Sequence, residues 1–131
     1  MNLRTDSVIY FEVPVDNEDR AREFYSRAFG WTANAMPEIN YTLLSTTESD
    51  QNRTPKEPGA INGGMFKRGL YGLEHTLVTI RVTSIENTLQ SIEKLGGKRM
   101  GEKMPVGDMG FAAYFKDSEG NVVGLFQPAR M

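Results

Sequence analysis

The chain has no cysteine among its 131 residues and only one histidine, His75. The first absence excludes disulfides, thiolate nucleophiles and cysteine-ligated zinc. The second excludes a metal centre built from several histidines of one chain. Charge of one sign is not in excess either, since 15 Lys and Arg stand against 17 Asp and Glu. A nucleic-acid partner normally calls for a basic surplus, so none is expected. No run approaches the roughly 20 apolar residues that span a bilayer. Residues 1–6 lack the apolar stretch of a secretory leader. These absences predict a cytoplasmic protein with no membrane partner. What is present is an ordinary globular mixture, 39% apolar and 24% charged, suited to one domain with one core or two small ones.

Ser7–Val13 is rich in β-branched and aromatic residues and runs into Pro14, which predicts a strand ending there. Asp16 or Asn17 then caps a helix, with Glu18 and Asp19 in its first turn. Ala21, Phe24, Tyr25 and Ala28 predict an apolar stripe on that helix, and Gly30 its end. Residues 31–35 and 41–45 predict short strands around a turn at Pro37. Residues 46–59 are polar and contain Pro55, Pro58 and Gly59, the signature of a surface loop. Residues 60–67 predict a strand, and 68–74, with Gly69 and Gly72, a connection.

The same order then recurs. Residues 76–82 predict a strand and Ser84 a helix N-cap. Ile85, Leu89, Ile92 and Leu95 predict a helical stripe that Gly96 and Gly97 end. Strands follow over 98–104, closing at Pro105, and over 111–116; a hairpin turn at 117–121 leads into the last, 122–127. A constant shift in number pairs Val13 with Ile80, Val15 with Val82, Tyr25 with Ile92 and Gly30 with Gly97. A shorter shift pairs Gly64–Lys67 with Gly124–Gln127, and the polar 46–59 loop absorbs the difference. The chain therefore reads as a duplicated strand–helix–three-strand module. Module one covers about 7–67, a linker 68–74, and module two about 75–128.

Phe11–Glu12–Val13–Pro14, Asp16, Phe24–Tyr25 and Phe29–Gly30–Trp31 together resemble the opening of the vicinal oxygen chelate superfamily, which includes glyoxalase I, bleomycin-resistance proteins and extradiol dioxygenases. Phe115–Asn121 followed by Gly124–Gln127 resembles its closing hairpin, and Ala60–Met65 resembles a glyoxalase-related branch. The resemblance runs from about Val8 to Pro128. It implies an α+β fold of two βαβββ modules, whose curved mixed sheets form a cleft with the helices outside. It also implies a homodimer. Strand alternation agrees: Ile9, Phe11 and Val13 share the helix-facing side, and Val8, Tyr10 and Glu12 the other. In module two Val78, Ile80 and Val82 face the helix, and Leu77, Thr79 and Arg81 face away.

Metal-dependent members take one His or Glu ligand from the first and the last strand of each module. By the resemblance, and by the internal repeat, those positions are Tyr10, Gly64, Leu77 and Gly124. None is His, Asp or Glu, so neither a metal nor another cofactor is expected. His75 shares the face of Leu77 only if the strand extends that far; it reads as a strand-end residue beside the linker. Gly63–Gly64 marks a close backbone approach or room for a ligand. Tyr41, Phe66, Tyr114 and Phe126 read as core packing or as pocket lining.

The leading expectation is a metal-free, bleomycin-resistance-like protein that binds a small, partly apolar molecule in the cleft. Its contacts are Tyr10, Glu12, Asn62, Thr79, Arg81 and Phe126. One alternative is a metal-dependent glyoxalase-type lyase, isomerase or dioxygenase, with metal held by His75, Glu12 and residues of a partner chain. The other is a non-catalytic dimeric interaction module.

Overall fold

A computed structural model describes residues 5–129. The chain divides into two compact units. Module one comprises Tyr10–Thr76; module two comprises the residues from Leu77 onward together with those up to Ile9. Each is a four-stranded mixed sheet with one helix, the βαβββ unit of the expected α+β class.

Module one runs β1 (Val8–Val15), α1 (Glu18–Phe29), β2 (Thr32–Met36), β3 (Tyr41–Ser45) and β4 (Asn62–Lys67). Its strand order is β2-β3-β4-β1, with β1 parallel to β4 and the other pairs antiparallel. The first two residues of β1 group with module two, where the Arg81 amide donates to the Ser7 carbonyl at 3.0 Å. Pro14 does not end the strand: pairing continues through Pro14 beside Phe66 to Val15 beside Lys67. Proline fits strand φ and lacks only its donor.

Asn17 is the cap of α1, its Oδ1 accepting from the Arg20 amide at 2.9 Å. Gly30 closes the helix in the left-handed conformation, φ +79°. Ala21 and Tyr25 pack on Val13, Val15, Leu44 and Met65, and Tyr25 stacks on Trp31 with centroids 4.8 Å apart. The expected stripe is narrower than the sequence implies, because Phe24 is 60% exposed and Ala28 is also exposed. Consecutive helical residues point about 100° apart, so only one of Phe24 and Tyr25 can face the sheet. Thr42 donates to Glu18 Oε1 at 2.9 Å, tying the first turn of α1 to β3.

Module two runs β5 (Leu77–Arg81), α2 (Ile85–Lys94), β6 (Lys98–Val106), β7 (Gly110–Lys116) and β8 (Val122–Pro128), in the order β5-β8-β7-β6. The Ser84 hydroxyl accepts from the Asn87 amide at 3.1 Å, and Gln127 Oε1 accepts from the Ile85 amide at 2.9 Å. Two orphan donors of the helix start are thereby satisfied. Val82, Ile85, Leu89, Ala113, Phe115 and Leu125 form the core. Leu95 lies beyond the last helical residue as its cap and is 80% exposed, so it leaves the expected stripe. β6 passes through Pro105, which an edge strand tolerates, after a register shift between Met100 and Met104. Among the described residues no helix is long and apolar enough to cross a membrane.

Burial separates two residues that sequence periodicity treats alike. Leu89→Ala removes a side chain that is 1% exposed and should cost about 2–5 kcal/mol in urea unfolding. Leu95→Ala should cost less than about 0.5 kcal/mol in the same measurement.

Candidate functional site

Side chains alternate along β1. Phe11 and Val13 pack toward α1, so Tyr10 and Glu12 occupy the opposite face. Parallel register sets Tyr10 beside Asn62 and Glu12 beside Gly64 on β4. Antiparallel register sets Leu43 of β3 beside Gly64, with Tyr41 two residues earlier on the same face.

Because β4 lies between β3 and β1, a side chain on β3 must cross it to reach β1. Gly64 leaves that path open, since a Cβ there would collide with the hydroxyl and ring of Tyr41. The Tyr41 ring lies across the gap, stacked near Phe66 at a centroid distance of 6.0 Å. Its hydroxyl stands 2.5 Å from Glu12 Oε2 and 3.0 Å from the Tyr10 hydroxyl. A phenol has one proton. It goes to the carboxylate, the shorter and charge-assisted contact, and the Tyr41 oxygen then accepts from Tyr10. The result is a directed chain, Tyr10 to Tyr41 to Glu12, ending on a carboxylate only 6% exposed.

Electrostatics hold both phenols protonated. Burial pushes Tyr10 well above its ordinary value of 10.0; the bond to Tyr41 opposes this, the Glu12 charge adds to it and Arg53 opposes it. Burial likewise pushes Tyr41 up, followed by electrostatic coupling to Tyr10 and to the Glu12 carboxylate and by its hydrogen bonds to them.

Asn62 is buried, and its amide is engaged at both ends. Oδ1 accepts from the Thr46 amide at 2.9 Å, while Nδ2 donates to Ser49 Oγ at 2.9 Å and to the Arg53 carbonyl at 3.5 Å. Asn62 therefore pins the loop after β3 to the start of β4.

In module two Thr79 is buried, and a Cβ at Gly124 would stand 2.7 Å from its Oγ1. The Leu77 methyl and the Tyr114 ring would each stand 3.4 Å from that same Cβ. Arg81 is exposed, and Phe126 is half-buried with its ring against Gly110. His75 is exposed in a bend, and β5 starts only at Leu77, so the strand face it would have shared does not reach it.

The donors present do not fit the divalent metal that the resemblance implies for metal-dependent members. In module one Tyr10 is a protonated phenol, and the space above Gly64 is taken by the Tyr41 ring. In module two Leu77 and Gly124 offer no donor atom. Among the described residues no three of His, Cys, Asp and Glu gather in one place. Two residues of the site were not legible as such. Tyr41 reads in sequence as a core or pocket aromatic, and its partner is set by a glycine on another strand. Arg53 sits in a polar loop with no motif around it.

Residues 7–47 match the family model described as bleomycin resistance protein-like N-terminal. No match was found among functionally curated proteins. Among solved structures, a hypothetical protein of Bacillus halodurans is similar over 98% of both chains, with a TM-score of 0.65 and 13% identity. A methylmalonyl-CoA epimerase variant of Streptomyces coelicolor, in complex with 2-nitronate-propionyl-CoA, is similar at a TM-score of 0.63 and 13% identity; the match covers 95% of this chain and 96% of that one. A methylmalonyl-CoA epimerase of Mycobacterium tuberculosis is similar at 0.59 and 15% identity, over 93% and 87%. At these identities the likeness is one of fold.

Phenols held protonated on folding contribute stability that is complete below pH 10.0 and is lost as the pH rises past it toward their raised values. Stability measured by urea unfolding should therefore fall more steeply above pH 10.0 in the native chain than in a Tyr10→Phe, Tyr41→Phe double variant. Gly64→Ala should displace the Tyr41 ring from Glu12 and let that phenol ionise earlier in an ultraviolet titration. Tyr41→Phe, which deletes a hydrogen bond to a carboxylate, should cost about 1.5–3 kcal/mol.

Proposed function

We propose that this chain is a metal-free member of the vicinal oxygen chelate superfamily that binds a small, partly apolar molecule, a reading supported by the match of residues 7–47 to the bleomycin resistance protein-like model and by the shared fold. The observation that carries the reading is the Tyr41 ring lying over Gly64 and bonded to Glu12. It puts a fixed polar group where the superfamily places a ligand-bearing side chain. Tyr10, half-buried as a residue, offers a hydroxyl oxygen that accepts from a ligand. Leu43 and Phe66 supply the apolar ground around these groups. Asn62 acts through the loop it anchors. Thr79, Arg81 and Phe126 carry the matching role in module two by the internal repeat. The bleomycin-resistance members of the superfamily are the precedent for binding without catalysis, and the homodimer belongs to the same reading.

A second reading has its own observation. The chain from Tyr10 through Tyr41 to Glu12 is a hydrogen-bonded route along which a proton can move to or from a carbonyl-bearing ligand. It gives the enzyme alternative a form that needs no metal. The metal-dependent form needs His75 near Glu12, and His75 sits in an exposed bend outside β5.

Protein purified without chelator should carry well under one equivalent of Zn²⁺, Ni²⁺ or Fe²⁺ by elemental analysis, and adding these ions should leave its melting temperature unchanged. Small aromatic and carbonyl compounds should include at least one that raises it, since a ligand held at about 100 times its Kd adds about 2.7 kcal/mol. Near-stoichiometric metal that a chelator removes with loss of stability would overturn the metal-free reading. No shift with any compound would favour the interaction module. Light scattering of the purified chain should give twice the mass of one copy.

A further inference from the structure

β2 ends the strand order of module one, as β6 ends that of module two. A bare edge is a row of unpaired N–H and C=O groups that will take another strand, and chains normally blunt it. β6 is blunted by three devices. It carries Lys98 and Lys103, passes through Pro105 and shifts its register between Met100 and Met104. Lys103 also stands over the Phe111 ring, 4.8 Å from its centroid. β2 has none of these devices. Thr32–Met36 holds no charge and no proline, and all five residues pair in unbroken register with β3. Thr32, Asn34 and Ala35 are exposed.

The helix beside this edge leaves a large apolar side chain uncovered. One bond fixes which flank of α1 faces β2: Glu18 is bonded to Thr42 on β3. Phe29 lies on the same line of the helix as Glu18, because eleven residues make about three turns. Phe29 is therefore on the β3–β2 side, and its ring meets that of Trp31, the residue before β2, at a centroid distance of 5.7 Å. It is nonetheless 64% exposed. On the sheet below, Ala33 packs toward α1 and Ala35 shares its face, so that side of β2 carries methyl groups in its middle. A large exposed ring thus stands beside a strand edge with room on it.

We propose that β2 is the seam of a two-fold dimer, in which it pairs antiparallel with β2 of a second copy and extends the sheet of module one. The proposal rests on the homodimer of the reading above and names the surface that forms it. The sequence of β2 suits its own reverse. With Asn34 on the axis, Thr32 faces Met36, Ala33 faces Ala35, and Asn34 faces its own copy. Its amide both donates and accepts, so two copies complement each other. No like charges meet across the seam. The axis stands perpendicular to the sheet, so both α1 helices lie on one side of it and run antiparallel. α1 begins with Glu18 and Asp19 and ends with Arg27, so each acidic start turns toward the other's basic end. Phe29 then reaches over the paired alanines. Strand and helix each match their own reverse, which singles out a second copy over an unrelated extended peptide.

The test uses the full chain in sedimentation equilibrium, with urea unfolding to confirm that each variant is folded. The native chain should be a dimer whose β2 amides exchange more slowly as its concentration rises. Asn34→Lys sets two lysines face to face on the axis and should raise the dimer dissociation constant about tenfold or more. Asn34→Glu should do the same, and Phe29→Ser should also weaken the dimer. An equimolar mixture of Asn34→Lys and Asn34→Glu should recover it, because lysine then faces glutamate. Glu102→Lys, at an exposed position of β6, should leave it unchanged. A dimer that survives any one of the three β2-side variants, or a mixture no more dimeric than its parts, would overturn the seam and leave the homodimer standing. A native chain that is monomeric at every concentration, whether or not an extended peptide slows exchange at β2, would overturn both.

Discussion

The Tyr41 hydroxyl bonded to Glu12 depends on a side chain that is missing. Tyr41 starts on β3 and Glu12 sits on β1, with β4 between them. Only a glycine at the crossing point lets an aromatic ring lie flat enough to bridge two strands. In a sheet a glycine interior weakens the strand and leaves nothing to pack. Here the lost packing is supplied from the neighbouring strand, with Phe66 stacked near the same ring. A buried glutamate then gains a charge-assisted partner instead of an unmet desolvation cost. Position 64 carries no side chain of its own and admits one from the neighbouring strand.

Module two handles its corresponding glycine by related means. Gly124 pairs with Thr79 on β5 and Tyr114 on β7, and the side chains of both close over it. The difference is in the partner beneath. Module one has Glu12 two residues beyond Tyr10, whereas the strand position two residues beyond Leu77 is Thr79. A buried threonine needs only a neutral hydrogen bond, so no acidic chain arises there. The duplication has kept the backbone solution twice and the charged chemistry once.

Periodicity alone disclosed much of this. The two strand–helix–three-strand units, the caps at Asn17, Ser84 and Gly30, the face of β1 and the placing of Ile80 and Val82 in the core follow from spacing, because they are local or period-two facts; Val78, expected on the same face of β5, is 41% exposed. The sequence misled where tertiary context decided. Pro14 and Pro105 looked like strand ends, but a proline costs a strand only the one donor it lacks. Phe24 and Leu95 fit an apolar stripe, but each helix offers its sheet a narrower arc than the stripe assumes. Asn62 was legible as an inward polar residue. Its employment by the 46–61 loop was not, because the loop's fold is set by Asp50 and contains no periodic signal. Tyr41 and Glu12 are far apart in sequence and on non-adjacent strands, so no spacing rule links them.

The loop and the sheet face are best understood as one object. Asn62 joins them, since a single buried amide contacts Thr46, Ser49 and the Arg53 carbonyl while its own strand neighbour is Tyr10. A loop that only closed the chain between β3 and β4 would need neither an arginine at positive φ nor an enclosed guanidinium nitrogen. Both features cost stability, and both persist only if surrounding structure over-determines them. Asp50 and Asn62 do that work from the two sides of Arg53.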